Sequence, residues 1–174
     1  SGATGSRLAG RAVAGRAGGG VKPAGWARVP RAVGGVGGGR MGAEPLSVRD
    51  GCRVTDGGAA VVVTSAGRAA ALRRDPVRVL GAGEAHSHRH VTGMPSLTTT
   101  AAARSGATAF AEAGMTPADV DVAQLYDAFT ITPVLFLEAL GFCPTGDGGP
   151  VAASGANAPG GGLPVPTNGR LLVT

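Results

Sequence analysis

Apolar and polar positions fall into two textures along this chain. Up to about residue 45 no period holds, and single Val and Leu residues stand among Gly, Ala and Arg. From Pro45 onward, short β-branched runs alternate with Ala- and Leu-rich stretches. The run Val61-Val62-Val63-Thr64, introduced by the turn signal Asp56-Gly57-Gly58, predicts a buried strand. Ala66–Leu72, made of good helix formers and closed by Asp75-Pro76, predicts a short helix. Val77–Leu80 predicts a second strand, ended by Gly81-Ala82-Gly83. Residues 99–113 predict a helix with Phe110 on its apolar face and a stop at Gly114. Thr116-Pro117-Ala118-Asp119 carries a helix start, because Thr caps well, Pro suits the first position and Asp complements the unpaired amides. Val122–Tyr126 predicts a third strand, and residues 128–140 an apolar helix ending at Gly141. Pro133 interrupts that helix unless Thr132 caps a new start there. After Cys143 the composition is that of loops as far as Asn168-Gly169. Alternating strand and helix signals predict an α/β fold, helices packed on a mixed sheet, over residues 46–174.

Composition sharpens the boundary. The 174 residues include 32 Gly and 12 Pro, with aromatics at 3%, so the core is modest and built on small side chains. Residues 1–43 hold Arg7, Arg11, Arg16, Lys22, Arg28, Arg31 and Arg40 and no acid, whereas the remainder is slightly acidic. A segment so rich in Gly buries too little apolar surface to offset its ordering entropy, and residues 1–45 are expected to be a disordered basic Gly/Ala/Arg-rich extension. As a nucleic-acid arm it offers only Trp26 for stacking and no repeated Arg-Gly-Gly unit. As a transit peptide it is Arg-rich and acid-free, but its Gly content spoils an amphipathic helix. An extension without a function of its own is the reading the composition favours, and nucleic acid is not an expected partner. No apolar window reaches the length of a membrane span. The expected location is the cytoplasm.

Few residues carry chemistry. Cys52 and Cys143 make neither a disulfide framework nor a four-cysteine zinc site. His86-Ser87-His88-Arg89-His90 would bring three imidazoles to one face of a strand, as a metal requires. Only Glu84 adds a carboxylate nearby and Arg89 repels a cation, so a polar loop at a substrate mouth, with His86 and His88 touching substrate, is the better reading. Gly81-Ala82-Gly83 lacks the spacing of a dinucleotide loop.

Several stretches in series then acquire a common meaning. Asp56–Ser65 looks like the start of the C-terminal half of the thiolase superfamily. Met115–Val122, followed by Leu125-Tyr126-Asp127-Ala128-Phe129-Thr130, is similar to its lipid-transfer (sterol-carrier) branch. So are Leu140-Gly141-Phe142-Cys143 and Pro159–Val165, and the resemblance runs collinearly over roughly residues 46–172.

The resemblance implies two similar α/β halves and acyl chemistry on CoA thioesters of lipid or sterol side chains, in the manner of an acetyl-CoA acetyltransferase or a retro-aldolase. It implies a nucleophilic Cys from an N-terminal half, and a His in a Gly-His-Pro turn and a second Cys late in the C-terminal half. Neither Cys52 nor Cys143 matches those positions, and Thr174 falls short of the Gly-His-Pro turn. Where relatives place Asn-Glu-Ala-Phe this chain has Tyr126-Asp127-Ala128-Phe129, so Tyr126 takes the place of an Asn that helps form an oxyanion hole. Its phenol suits an oxyanion or acid/base role, with Asp127 as the motif neighbour; the competing reading is a strand-end Tyr with its hydroxyl in water. The motif Pro164-Val165-Pro166-Thr167-Asn168-Gly169-Arg170 departs from Pro-Val-Asn-Thr-x-Gly-Gly at Pro166 and Arg170. The expectation is therefore a fragment of a thiolase-like enzyme, inactive as these residues alone, in a parent that is a homo- or hetero-oligomer. No cofactor is expected to be tightly bound, coenzyme A entering as the thioester substrate. The alternative is a non-catalytic partner subunit of a thiolase-like assembly.

Overall fold

The structure, a computed structural model, describes residues 8–10, 12–13, 32–52, 56 and 58–165. Trp26, the Gly-rich run at 17–20, Gly57 and the Pro166–Arg170 departure lie outside the described residues. Helix α1 is Val33–Gly37, and strands β1 (Met41–Ala43) and β2 (Leu46–Ser47) form an antiparallel hairpin with Met41 opposite Ser47 and Ala43 opposite Leu46. Helices α2 (Ala66–Ala69), α3 (Ala102–Ala113), α4 (Ile131–Ala139) and α5 (Gly148–Ala153) follow, with single 3-10 turns at Val91–Gly93 and Pro117–Asp119.

Helix α3 begins at Ala102, three residues later than its predicted start, and ends as the sequence indicates. Gly114 takes φ 65°, its amide reaches Ala111 O, and the Met115 amide reaches Phe110 O. That pair of bonds closes a helix through a left-handed glycine. Helix α4 begins at Ile131, so Pro133 falls in its first turn, where an amide has no partner to lose. No fresh start at Thr132 is needed. Thr116-Pro117-Ala118-Asp119 does initiate a turn, but only of 3-10 form: the Thr116 amide and hydroxyl both donate to Asp119 Oδ2, at 2.8 and 2.7 Å. Its close is immediate because Asp119 and Val120 bond back to Thr116 and Pro117.

The sheet differs from expectation. Among the described residues it has two strands, plus one isolated antiparallel bridge between Gly51 and Phe129. Val61–Thr64, Val77–Leu80 and Val122–Tyr126 enter no ladder, and Val61, Val62, Val63 and Val77 are 85, 93, 85 and 97% exposed. β-branched composition favours a strand, but a ladder also needs a neighbour at 4.7–4.9 Å to take its amides. The mixed sheet thus gives way to helices with a small sheet, and α2 shortens to four residues. Within residues 1–45, residues 8–10 and 12–13 are helical, Ala9, Ala12 and Val36 pack together, and a Cβ on Gly10 would touch Ala153 Cα at 3.4 Å. Gly10 therefore lies against the end of α5.

The main core gathers Ala123, Leu137 and Val165, with Leu125, Phe142, Cys143, Val151 and Leu163 around them. Gly106 of α3 lies beneath Leu140, while Phe110 and Phe142 meet edge to face at 6.4 Å. Gly148 lets α5 close on α4, its amide donating to Glu138 Oε1 at 3.0 Å.

Candidate functional site

The segment between α3 and α4 carries the motif Tyr126-Asp127-Ala128-Phe129. Its start is tied down where the Ala123 amide donates to Pro164 O at 3.2 Å. Its end is tied down twice, by Cys52 N to Ala128 O at 2.8 Å and Thr130 N to Asp50 O at 2.9 Å. Ala123 and Asp127 are buried at 5 and 2% exposure, and between them Tyr126 stands 61% exposed. Neighbouring side chains of an extended segment point to opposite sides, so Asp127 turns inward as Tyr126 turns outward. The two do not form a facing pair; Asp127 belongs to the interior and Tyr126 alone presents a titratable group outward. Phe129 lies over Gly51, where a Cβ would meet its ring at 3.6 Å.

A second feature is an open groove of about 490 Å³ between residues 85–88, residues 94–105 and the first turns of α4. His86 and His88 line its rim, with Met94, Ala101, Leu135 and Phe136 giving an apolar floor. Ser87 Oγ and His88 Nδ1 lie 2.7 Å apart, and His86 Nδ1 is 3.6 Å from Glu84 Oε1 with both side chains exposed. Arg104 of α3 donates to His86 O at 2.7 Å, fixing the rim to the helix. Among the described residues no group of three or more His, Cys, Asp or Glu side chains converges as a metal would require. Tyr126 is not one of the groove's lining residues. Met94, Thr100, Thr132, Leu135 and Phe136 escaped the sequence reading, because a loop and a helix distant in sequence meet only in the fold.

The Cys143 thiol does not resemble an activated nucleophile. Burial, with the Glu138 and Asp147 carboxylates nearby, pushes the Cys143 thiol up from its ordinary value, the reverse of what nucleophilic sulfur needs. Cys52 is half-buried, its amide committed to Ala128.

A family model described as thiolase C-terminal domain-like matches residues 83–174. The chain is 40% identical over 140 residues to a 17-hydroxy-3-oxo-4-pregnene-20-carboxyl-CoA lyase of Mycobacterium tuberculosis, covering 75% of this chain and 35% of that protein. It is 34% identical over 139 residues to a steroid side-chain-cleaving aldolase of Thermomonospora curvata, covering 74% of this chain and 34% of the relative. Among solved structures, an Ltp2-ChsH2(DUF35) aldolase superposes with a TM-score of 0.85 at 32% identity, over 98% of this chain and 46% of that one. The chain thus spans about a third of the length of these curated relatives.

Proposed function

The chain belongs to the thiolase C-terminal domain-like family, and from that premise we propose that it is the C-terminal part of a thiolase-like enzyme acting on CoA thioesters of lipid or sterol side chains. Of the two chemistries open to such an enzyme, acyl transfer and retro-aldol cleavage, we favour the second, because relatives of the chain are named as a steroid-CoA lyase and a side-chain-cleaving aldolase. Retro-aldol cleavage needs no covalent thiol. A 3-hydroxyacyl-CoA loses its hydroxyl proton to a base, and the bond between the α- and β-carbons breaks. The oxygen becomes a ketone, the electron pair passes to the α-carbon and thioester oxygen as an enolate, and a proton returns to the α-carbon.

Tyr126 is the residue assigned to this step. Its phenol donates to the oxygen on which enolate charge develops, or moves the proton. The observation that carries the reading is the exposed Tyr126, flanked by pinned backbone, in a chain whose relatives are named as a steroid-CoA lyase and a side-chain-cleaving aldolase. The groove rimmed by His86 and His88 is assigned to a part of the substrate away from the reacting thioester, its floor taking an apolar group. Coenzyme A enters and leaves as part of the thioester, and no other cofactor is assigned. Among the described residues no helix is long and apolar enough to cross a membrane, and a cytoplasmic reaction is proposed. The name of the superposed aldolase joins two components, so a hetero-oligomeric parent is the assembly we favour.

The test uses the native protein containing this sequence, purified from its source with whatever accompanies it. A steroid 3-hydroxyacyl-CoA, with its hydroxyl on a ring carbon, is followed by mass spectrometry. Release of a ring ketone and a shortened acyl-CoA without added free CoA is the expected result. Turnover only with free CoA would assign acyl transfer instead. These 174 residues by themselves are expected to show no thiolysis.

A further inference from the structure

Asp50 is buried, at 6% exposure, and both of its carboxyl oxygens are engaged. Oδ2 accepts from the Ser47 amide and the Ser47 hydroxyl, each at 2.8 Å. Oδ1 accepts from Thr130 Oγ1, also at 2.8 Å, across eighty positions of sequence. Thr130 is fully buried and immediately precedes α4, yet its hydroxyl does not cap that helix. It turns instead to Asp50, whose backbone carbonyl takes the Thr130 amide at 2.9 Å. Asp50 and Thr130 are therefore joined by main chain and side chain together. A buried hydroxyl and carboxyl are costly to separate, since each would lose a partner that water cannot replace.

We infer that Asp50 is a positioning residue: through Thr130 it sets the direction in which the Tyr126 side chain leaves its motif. Three residues lie between Tyr126 and Thr130, and of these Ala128 and Phe129 are already paired with Cys52 and Gly51. The upstream end of residues 124–127 is held at Ala123, and the Asp50–Thr130 bonds hold the downstream end. Tyr126 itself makes no hydrogen bond among the described residues, so its aim is inherited from the backbone. The catalytic consequence rests on the role proposed above for Tyr126; the positional coupling does not.

Tyr126 is the chain's only tyrosine, so ring-labelled tyrosine gives a single NMR signal in the 174-residue chain. Thr130→Val removes the hydroxyl while keeping its shape, and Thr130→Ser keeps the hydroxyl. The Val variant is expected to move the Tyr126 ring signal toward its position in an unstructured peptide, and the Ser variant to restore it. Asp50→Ala, which removes the acceptor, should act like Thr130→Val; if it fails to fold, the Val/Ser pair still decides. In the native enzyme, Thr130→Val should lower kcat by about tenfold or more with KM within a factor of about two, because misplacement of a reacting group costs rate rather than binding. A ring signal identical in Thr130→Val and the native chain, with helicity retained, would overturn the inference. A ring signal that moves while kcat stays unchanged would uphold the positioning and overturn the catalytic role of Tyr126.

Discussion

The Ala82 amide donates to Glu112 Oε2 at 2.8 Å, clamping the segment after the second predicted strand to the last turn of α3. Arg104, near the other end of α3, donates to His86 O. Between these clamps Gly81 faces Ala109 and Ala113, and Gly83 faces Ser105 and Ala109. Positions 105, 109 and 113 form one stripe of the helix. Four helical residues advance about 6 Å and two extended ones about 6.6 Å, so the two backbones keep step in opposite directions. The groove's histidine rim owes its place to this contact.

Gly83→Ala should therefore destabilise the protein by about 1–3 kcal/mol, because a Cβ there would strike the Ser105 carbonyl. Gly67, in α2, meets nothing within 4 Å, and Gly67→Ala should stabilise by up to about 1 kcal/mol. Denaturant unfolding of the two variants measures both. Equal effects would mean that residues 81–83 do not ride on α3.

Tyr126→Phe keeps the ring and removes the hydroxyl. Under the role proposed for Tyr126, it should lower kcat of the native protein about 100-fold or more, the range expected for a lost acid/base or oxyanion group. His86→Ala and His88→Ala, at the groove rim, should instead raise KM with smaller effects on kcat. Steady-state kinetics on the three variants separates the roles, and a Tyr126→Phe enzyme with full kcat would return Tyr126 to an idle surface group.

Cys143 should react slowly with iodoacetamide at pH 8, more slowly than the same residue in the unfolded chain. Its thiol is raised by burial and by Glu138 and Asp147, so Glu138→Gln and Asp147→Asn should each speed alkylation, read by peptide mass spectrometry. A folded-state value above the unfolded 9.0 favours the native state below pH 9, and that contribution fades as pH rises through the raised value. Unfolding midpoints compared at pH 8 and 10 should fall less in Cys143→Ala than in the native chain.

Asp119 behaves in the opposite sense. The Thr116 hydroxyl, then its amide, hold the Asp119 carboxylate below its ordinary 3.8. A depressed folded value gives stability that is present above pH 3.8 and is lost as pH falls through the lowered value. Asp119→Asn should remove that part of the acid sensitivity while leaving the neutral-pH structure intact. Because the pair is exposed, the effect is small and is best read as the acid titration of the Asp119 carboxyl signal by NMR. A titration midpoint at the ordinary value would show that the Thr116 bonds do not persist in solution.

What the sequence determined by itself is local and chemical. The end of α3 at Gly114, the turn at Thr116-Pro117, the apolar helix after Phe129 and the Tyr126-Asp127-Ala128-Phe129 motif depend on neighbours a few residues away, and side-chain chemistry settles them. The family was legible for the same reason, since several short motifs stood in order. Pairing was not legible. Val61–Val63 and Val77–Val79 have strand composition, yet their exposure depends on whether another strand lies alongside, which no local pattern encodes. The groove needed a loop at 85–88 to meet α4, and the Asp50–Thr130 bond needed residues eighty positions apart to meet in a dry interior. Ser47-x-x-Asp50 reads locally as no more than a polar turn. Only the tertiary structure decided that Asp127 turns inward and Tyr126 outward, because burial is set by what packs on each side of a segment.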